Sequence, residues 1–72
     1  MAVFTERLSA LRIEQKALQK DIAEAIGVTV RAYQYYEKGQ KEPTLSVLIA
    51  LAEFYNVSLD YLVGRSDNPK RR

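Results

Sequence analysis

Residues 19–41 read QKDIAEAIGVTVRAYQYYEKGQK, and their punctuation decides the fold. Ile22, Ala23 and Ile26 recur on one side of a short helix that closes at Gly27, the residue best able to take the left-handed end conformation. Thr29 is placed to cap a second helix with its hydroxyl, and Gly39 to end it. Such short helices cannot stand alone in water, so tertiary packing must hold them. Two helices joined by a tight turn containing glycine form the helix-turn-helix arrangement.

The second helix of the pair has two faces. Tyr33 and Tyr36, with Ala32 and Glu37 beside them, point one way. At helical spacing on the apolar side the two tyrosines read as core with their hydroxyls at the rim, and the alternative is a stacking pair for nucleic-acid bases. Arg31, Gln34, Tyr35 and Lys38 fall at i, i+3, i+4 and i+7, a single stripe. It combines a forked donor for a guanine edge, an amide that can pair with adenine, and a phenol that can pack on a thymine methyl. Lys38, Gln40 and Lys41, with Thr29 at the other end, are candidates for the phosphate backbone.

Working outward, Phe4, Leu8, Leu11 and Gln15 mark one side of a first amphipathic helix, with Glu6, Arg7, Glu14 and Lys16 on the other. Downstream, Pro43 blocks continuation and Thr44 caps a helix whose apolar stripe is Leu45, Leu48, Ile49, Ala52 and Tyr55. Asn56 can end it. Ser58 then caps a last short helix carrying Leu59, Leu62 and Val63, which Gly64 stops. Residues 65–72 turn polar and basic and are expected to fray as a disordered tail, the alternative being a supplementary phosphate-binding arm. With no strand-like alternation and no internal repeat, the fold class is all-α: one compact five-helix domain.

Composition narrows function. A chain of 72 residues buries roughly 60% of its unfolded surface, enough for one thin core. It has neither Cys nor His, so no disulfide, thiol centre or Cys/His zinc site is expected, and no metal or cofactor. Catalysis lacks a His or Cys base or nucleophile, a glycine-rich phosphate loop and an enclosed carboxylate cluster, so an enzyme is not expected. No apolar run approaches the ~18 residues of a membrane span, and no signal pattern opens the chain, so a soluble cytoplasmic protein with no membrane partner is expected.

The formal charge of +2 misleads until it is mapped. Three basic residues are the last three, Lys70, Arg71 and Arg72, and residues 1–68 hold eight basic groups against nine acidic. Within residues 16–41 there are five basic groups against three acidic, a net of +2. Residues 42–68 hold one against four, a net of −3. The chain is electrically polarised, and its positive part coincides with the suspected reading helix.

Over residues 7–62 the chain resembles the Cro/C1-type helix-turn-helix domain, the XRE family of phage and bacterial transcriptional regulators. Arg7-Leu8 and Leu11-Arg12, Gln19 to Ala23, Ile26 to Thr29, Tyr36-Glu37-Lys38-Gly39, Pro43-Thr44-Leu45, Leu48 to Ala52, and Asn56 to Leu62 carry the likeness, in order and at family spacing. It implies a lambda-repressor-like DNA-binding domain whose third helix enters the major groove, acting as a dimeric repressor on a pseudo-palindromic double-stranded operator. Carried over by position, Gln19 contacts a phosphate and braces the base-reading residues Val30, Arg31 and Tyr35, with Gln34 beside them. Arg12 and Glu37 match a pair that forms a structural salt bridge, the alternative being two unrelated surface charges.

The chain departs from the family at two places. Leu18 stands where a Ser or Thr usually caps the second helix, which predicts a weaker helix start. Val30 and Tyr35 stand where polar readers are common, which points to thymine-methyl contact and shape. A two-fold pair must present its reading helices about 34 Å apart, and the dimer interface is expected at Leu59, Leu62 and Val63. No small-molecule ligand is expected. The second reading of the whole chain is an antitoxin-like protein-interaction subunit on the same scaffold, for which the acidic C-terminal half leaves room.

Overall fold

The structure, a computed structural model, describes residues 2–70. Its helices are α1 (Ala2–Glu14), α2 (Gln19–Ile26), α3 (Val30–Lys38), α4 (Leu45–Tyr55) and α5 (Leu59–Leu62), with no strand among the described residues. Thr29, Thr44 and Ser58 each accept an amide hydrogen bond at a helix start, from Ala32, Val47 and Tyr61. Leu18 makes no such bond. The α2 start holds at Gln19 all the same, because the Asp21 and Ile22 amides reach back to the Leu18 carbonyl at 3.0 and 3.1 Å, and the Asp21 charge complements the helix dipole.

Gly27 ends α2 at φ 77°, which turns the chain so that the Val28 amide bonds the Ala23 carbonyl at 2.9 Å. This tight reversal sets α3 against α2. Phe4, Leu8 and Leu11 of α1, Ile22, Ala23 and Ile26 of α2, Tyr33 of α3, and Leu51, Ala52 and Tyr55 of α4 form one core with Val57 and Leu62. Burial of each large apolar side chain there stabilises by about 1.5–3 kcal/mol.

Two expectations about the helices are corrected. In α4 the inward face is shifted: Leu51 is fully buried, whereas Leu45 and Ile49 are 65% and 44% exposed. The reason is that α4 is apolar on nearly all sides, so its periodicity fits several stripes and packing on α2 makes the choice. Gln15 lies past the end of α1, not on its apolar face, and its amide donates to the Tyr55 carbonyl at 3.3 Å.

Residues 65–70 lie back against the domain. The Arg7 guanidinium lies over the Tyr61 ring at 4.1 Å and donates to the carbonyl oxygens of Tyr61 and Ser66 and to Asp67 Oδ1. The Ser58 amide bonds the Pro69 carbonyl at 2.9 Å, so the segment folds back beside α5. A single arginine that satisfies main-chain carbonyls on both sides of Gly64 was hidden in the sequence as one more surface charge. Arg71 and Arg72, the end of the expected tail, lie outside the described residues.

Candidate nucleic-acid interface

The turn at Gly27 and the Thr29 cap present α3 with its outer side open. Val30, at the first helical position, is 39% exposed, and Arg31 and Lys38 are exposed along the same helix. Arg31 Nε donates to the Tyr35 hydroxyl at 3.1 Å. Lys41 Nζ stands 4.9 Å from the centre of the Tyr35 ring, which places two cations around one half-exposed phenol. The aromatic ring thus spaces the two charges and limits their rotamers.

Gln34 is half-buried, and its amide donates to Gln19 Oε1 at 3.1 Å, which joins the two helices of the motif through side chains. Gln19 itself lies at the first position of α2, partly exposed. Gln40 and Lys41 are exposed just beyond the Gly39 cap. Thr29 accepts the Ala32 amide at 3.0 Å and retains a hydroxyl proton to donate. The structure therefore brings Val30, Arg31, Tyr35 and Lys41 to one surface, with Gln19 and Gln34 paired beside it.

Behind this surface α3 is tied down. Arg12 Nε donates to Glu37 Oε2 at 2.6 Å and Arg12 Nη2 to Oε1 at 3.3 Å, a forked pair between α1 and α3. Ser9 adds its hydroxyl at 3.3 Å. Burial opposes the Glu37 charge, but the hydrogen bond and positive charge of Arg12 outweigh it and hold the carboxyl below its ordinary range. The same bond to Glu37 raises the Arg12 guanidinium.

Of the two inner tyrosines, Tyr36 is half-buried against the core and Tyr33 is fully buried. The Tyr33 hydroxyl does not reach the rim, since it meets the Tyr55 hydroxyl inside the core at 3.2 Å. Sequence reasoning missed Tyr55 as a polar partner. A signal existed: two tyrosines at core positions each need a mate for the hydroxyl.

The expected dimer residues divide. Leu62 is 0% exposed inside its own chain's core, where α5 packs on α1 and α4, and has no surface to give a partner. Leu59 and Val63 are half-buried. Leu59 borders an open groove of about 560 Å³ with Ile49, Val57, Glu53, Asp60 and Lys70. Among the described residues no cluster could hold a metal ion, and no helix is long and apolar enough to cross a membrane.

A family model described as helix-turn-helix matches residues 8–62. The chain is 39% identical over 67 residues to the HTH-type transcriptional regulator YobD of Bacillus subtilis, across 93% of this chain and 60% of that protein. It is 37% identical to the cryptic phage CTXphi transcriptional repressor RstR of Vibrio cholerae, across 90% of this chain and 59% of that protein. The chain thus spans about three-fifths of the length of these curated relatives. In three dimensions it is similar to the P22 c2 repressor, solved in complex with a synthetic operator, with a TM-score of 0.83 and 30% identity. That likeness covers 89% of this chain and 97% of the P22 chain. A transcriptional regulator from Listeria innocua superposes with a TM-score of 0.81 at 39% identity, over 85% of this chain and 57% of that one.

Proposed function

Because the chain belongs to the Cro/C1-type helix-turn-helix family, we propose that it binds double-stranded DNA sequence-specifically as a transcriptional repressor, with α3 in the major groove. The observation that carries this reading is the exposed surface of Val30, Arg31 and Tyr35 with Lys41 poised over the ring. Arg31 reads a guanine edge, Val30 packs on a thymine methyl, and Tyr35 supplies shape between them. Gln19, Thr29, Lys38, Gln40 and Lys41 hold phosphates, which set register without reading sequence.

The protein acts in this reading as a homodimer on a pseudo-palindromic operator, in the compartment that holds the DNA, and performs no chemistry on it. With Leu62 taken by the core, the seam is formed by Leu59 and Val63 together with the exposed Leu45 and Ile49 of α4. The groove carries both signs at its rim, Glu53 and Asp60 against Lys70, so a two-fold copy can pair each with its opposite.

Selection of bound duplexes from random DNA, followed by a salt titration on the winner, tests the proposal. The expected result is one enriched half-site in inverted repeat and a log affinity that falls steeply with log salt, by about 0.9 per phosphate held. No enrichment, or an affinity indifferent to salt, would sink it.

A further inference from the structure

Tyr33 and Tyr55 have no part in the surface just described, yet both lie in the core, 0% and 2% exposed, with their hydroxyl oxygens 3.2 Å apart. A buried phenol needs a hydrogen-bond partner that Phe or Leu in its place would not. Apolar packing alone therefore does not account for the pair. Its place in the fold gives it a use.

Tyr33 belongs to α3 and stands beside the Glu37 carboxylate one turn later on the same helix. Between the Tyr33 and Tyr55 hydroxyls either can be the donor. Glu37 in turn takes the Arg12 guanidinium and the Ser9 hydroxyl of α1. The inner face of α3 is thus held by directional bonds on two sides, to α4 through Tyr33 and to α1 through Glu37. Tyr55 is itself anchored, since its carbonyl accepts from Gln15 at 3.3 Å and Asn56 after it takes the left-handed turn into α5.

Directional bonds do something that apolar packing does not. Greasy side chains resist separation of α3 from the core, but they tolerate small rotations of a short helix about its own axis. Hydrogen bonds, by contrast, weaken steeply as they lose linearity. With side chains reaching about 5–6 Å from a helix axis, a roll of about 20° moves the tips of Arg31 and Tyr35 by about 2 Å. That displacement is enough to break a bidentate contact to a base edge and too small to detach a flexible Lys from a phosphate.

From this we infer that the Tyr33–Tyr55 hydroxyl pair sets the roll of α3 and is a positioning element for base reading, one that discriminates between sequences without touching DNA. The inference rests on the DNA-binding reading above. It separates two properties that a simple stability role would move together, the affinity for any duplex and the preference for one.

The test is the double variant Tyr33→Phe/Tyr55→Phe. Removing both hydroxyls leaves neither one orphaned, and such paired replacements change stability little. Binding is measured for the wild type and the variant, at a temperature where both are fully folded, on the duplex selected by the wild type and on a random duplex of equal length. The expected outcome is a fall of about five- to tenfold in the ratio of the two affinities, with random-duplex affinity within about twofold of wild type. An unchanged ratio overturns the inference. Should the double variant fail to fold, Tyr55→Phe alone decides the question: its ratio must fall in the same direction, and an unchanged one overturns the inference. A wild type with no sequence preference removes both this inference and the regulator reading, whereas a selective wild type with equally selective variants removes this inference only.

Discussion

Glu37, on the inner side of α3, accepts the Arg12 Nε proton at 2.6 Å while only 9% of its side chain remains accessible. The pair ties α1 to the helix that carries the proposed reading surface. Its value lies less in net attraction than in the cost of breaking it, since removal of one partner strands a charge that water can hardly reach.

The pair therefore makes an acid-labile tether. Because the Glu37 carboxyl is held below its ordinary value of 4.5, it contributes stability that is fully present above that value and is lost as pH falls through the lowered one. Urea unfolding should give a wild-type stability that declines in acid. Glu37→Gln should begin about 2–3 kcal/mol lower near neutral pH and decline less steeply. Equal acid slopes in the two proteins would mean that Glu37 is not the group that titrates.

Arg31 and Lys41 flank the same ring but are assigned different work, and equilibrium binding can tell them apart. Arg31→Ala should cost about 1–3 kcal/mol on the selected duplex and much less on random DNA, because it removes a base contact. Lys41→Ala should weaken both duplexes alike and lower the salt slope by about one. Filter binding or fluorescence anisotropy at several salt concentrations reads both. A uniform loss for Arg31→Ala would move that residue to the phosphate group, and a loss confined to one sequence would move Lys41 to the readers.

The helix pair α2 and α3 is legible in the sequence because its signals are local. A glycine that ends α2, a threonine that caps α3 and a stripe at i, i+3, i+4 and i+7 each act over one or two turns, and the structure places α2 and α3 at Gln19–Ile26 and Val30–Lys38 accordingly. What could not be read is what depends on distant partners. The inward face of α4 was misassigned at Leu45, Ile49 and Leu51 because a helix apolar on most sides owes its orientation to the surfaces around it. Leu62 looked like an exposed apolar residue for the same reason. The hold of Arg7 on residues 61–67 and the meeting of Tyr33 with Tyr55 join segments dozens and twenty-two positions apart, and no periodicity announces either.

Gly64 is one position where the backbone demands glycine twice over. Its φ is 87°, and a Cβ there would come within 2.8 Å of a Val3 methyl on α1. Gly64→Ala should therefore lower stability by about 1–2 kcal/mol from the left-handed conformation alone, with a further loss from the clash. Because the Val3 Cβ would itself stand 2.9 Å away, pairing it with Val3→Gly, read against Val3→Gly alone, should recover the steric part and leave the conformational part. Thermal unfolding of these variants measures this. If the second substitution restores nothing, the two residues do not meet as described.

Leu62 and Ile49 offer the sharpest separation of core from seam. Leu62 is fully buried in its own chain, so Leu62→Ala should cost about 2–5 kcal/mol in unfolding free energy while any dimer that still folds keeps its association constant. Ile49 is 44% exposed on α4 beside the groove, so Ile49→Lys should leave the monomer's stability nearly unchanged, since surface substitutions fall within about 0.5 kcal/mol. A lysine set into an apolar two-fold seam faces its own copy across the axis, and the repulsion should shift the protein to monomer in sedimentation. The monomer should then bind a single half-site and lose the advantage of the inverted repeat. An Ile49→Lys protein that sediments as a dimer places the seam elsewhere, and a Leu62→Ala protein that unfolds like wild type but dissociates would return Leu62 to the interface.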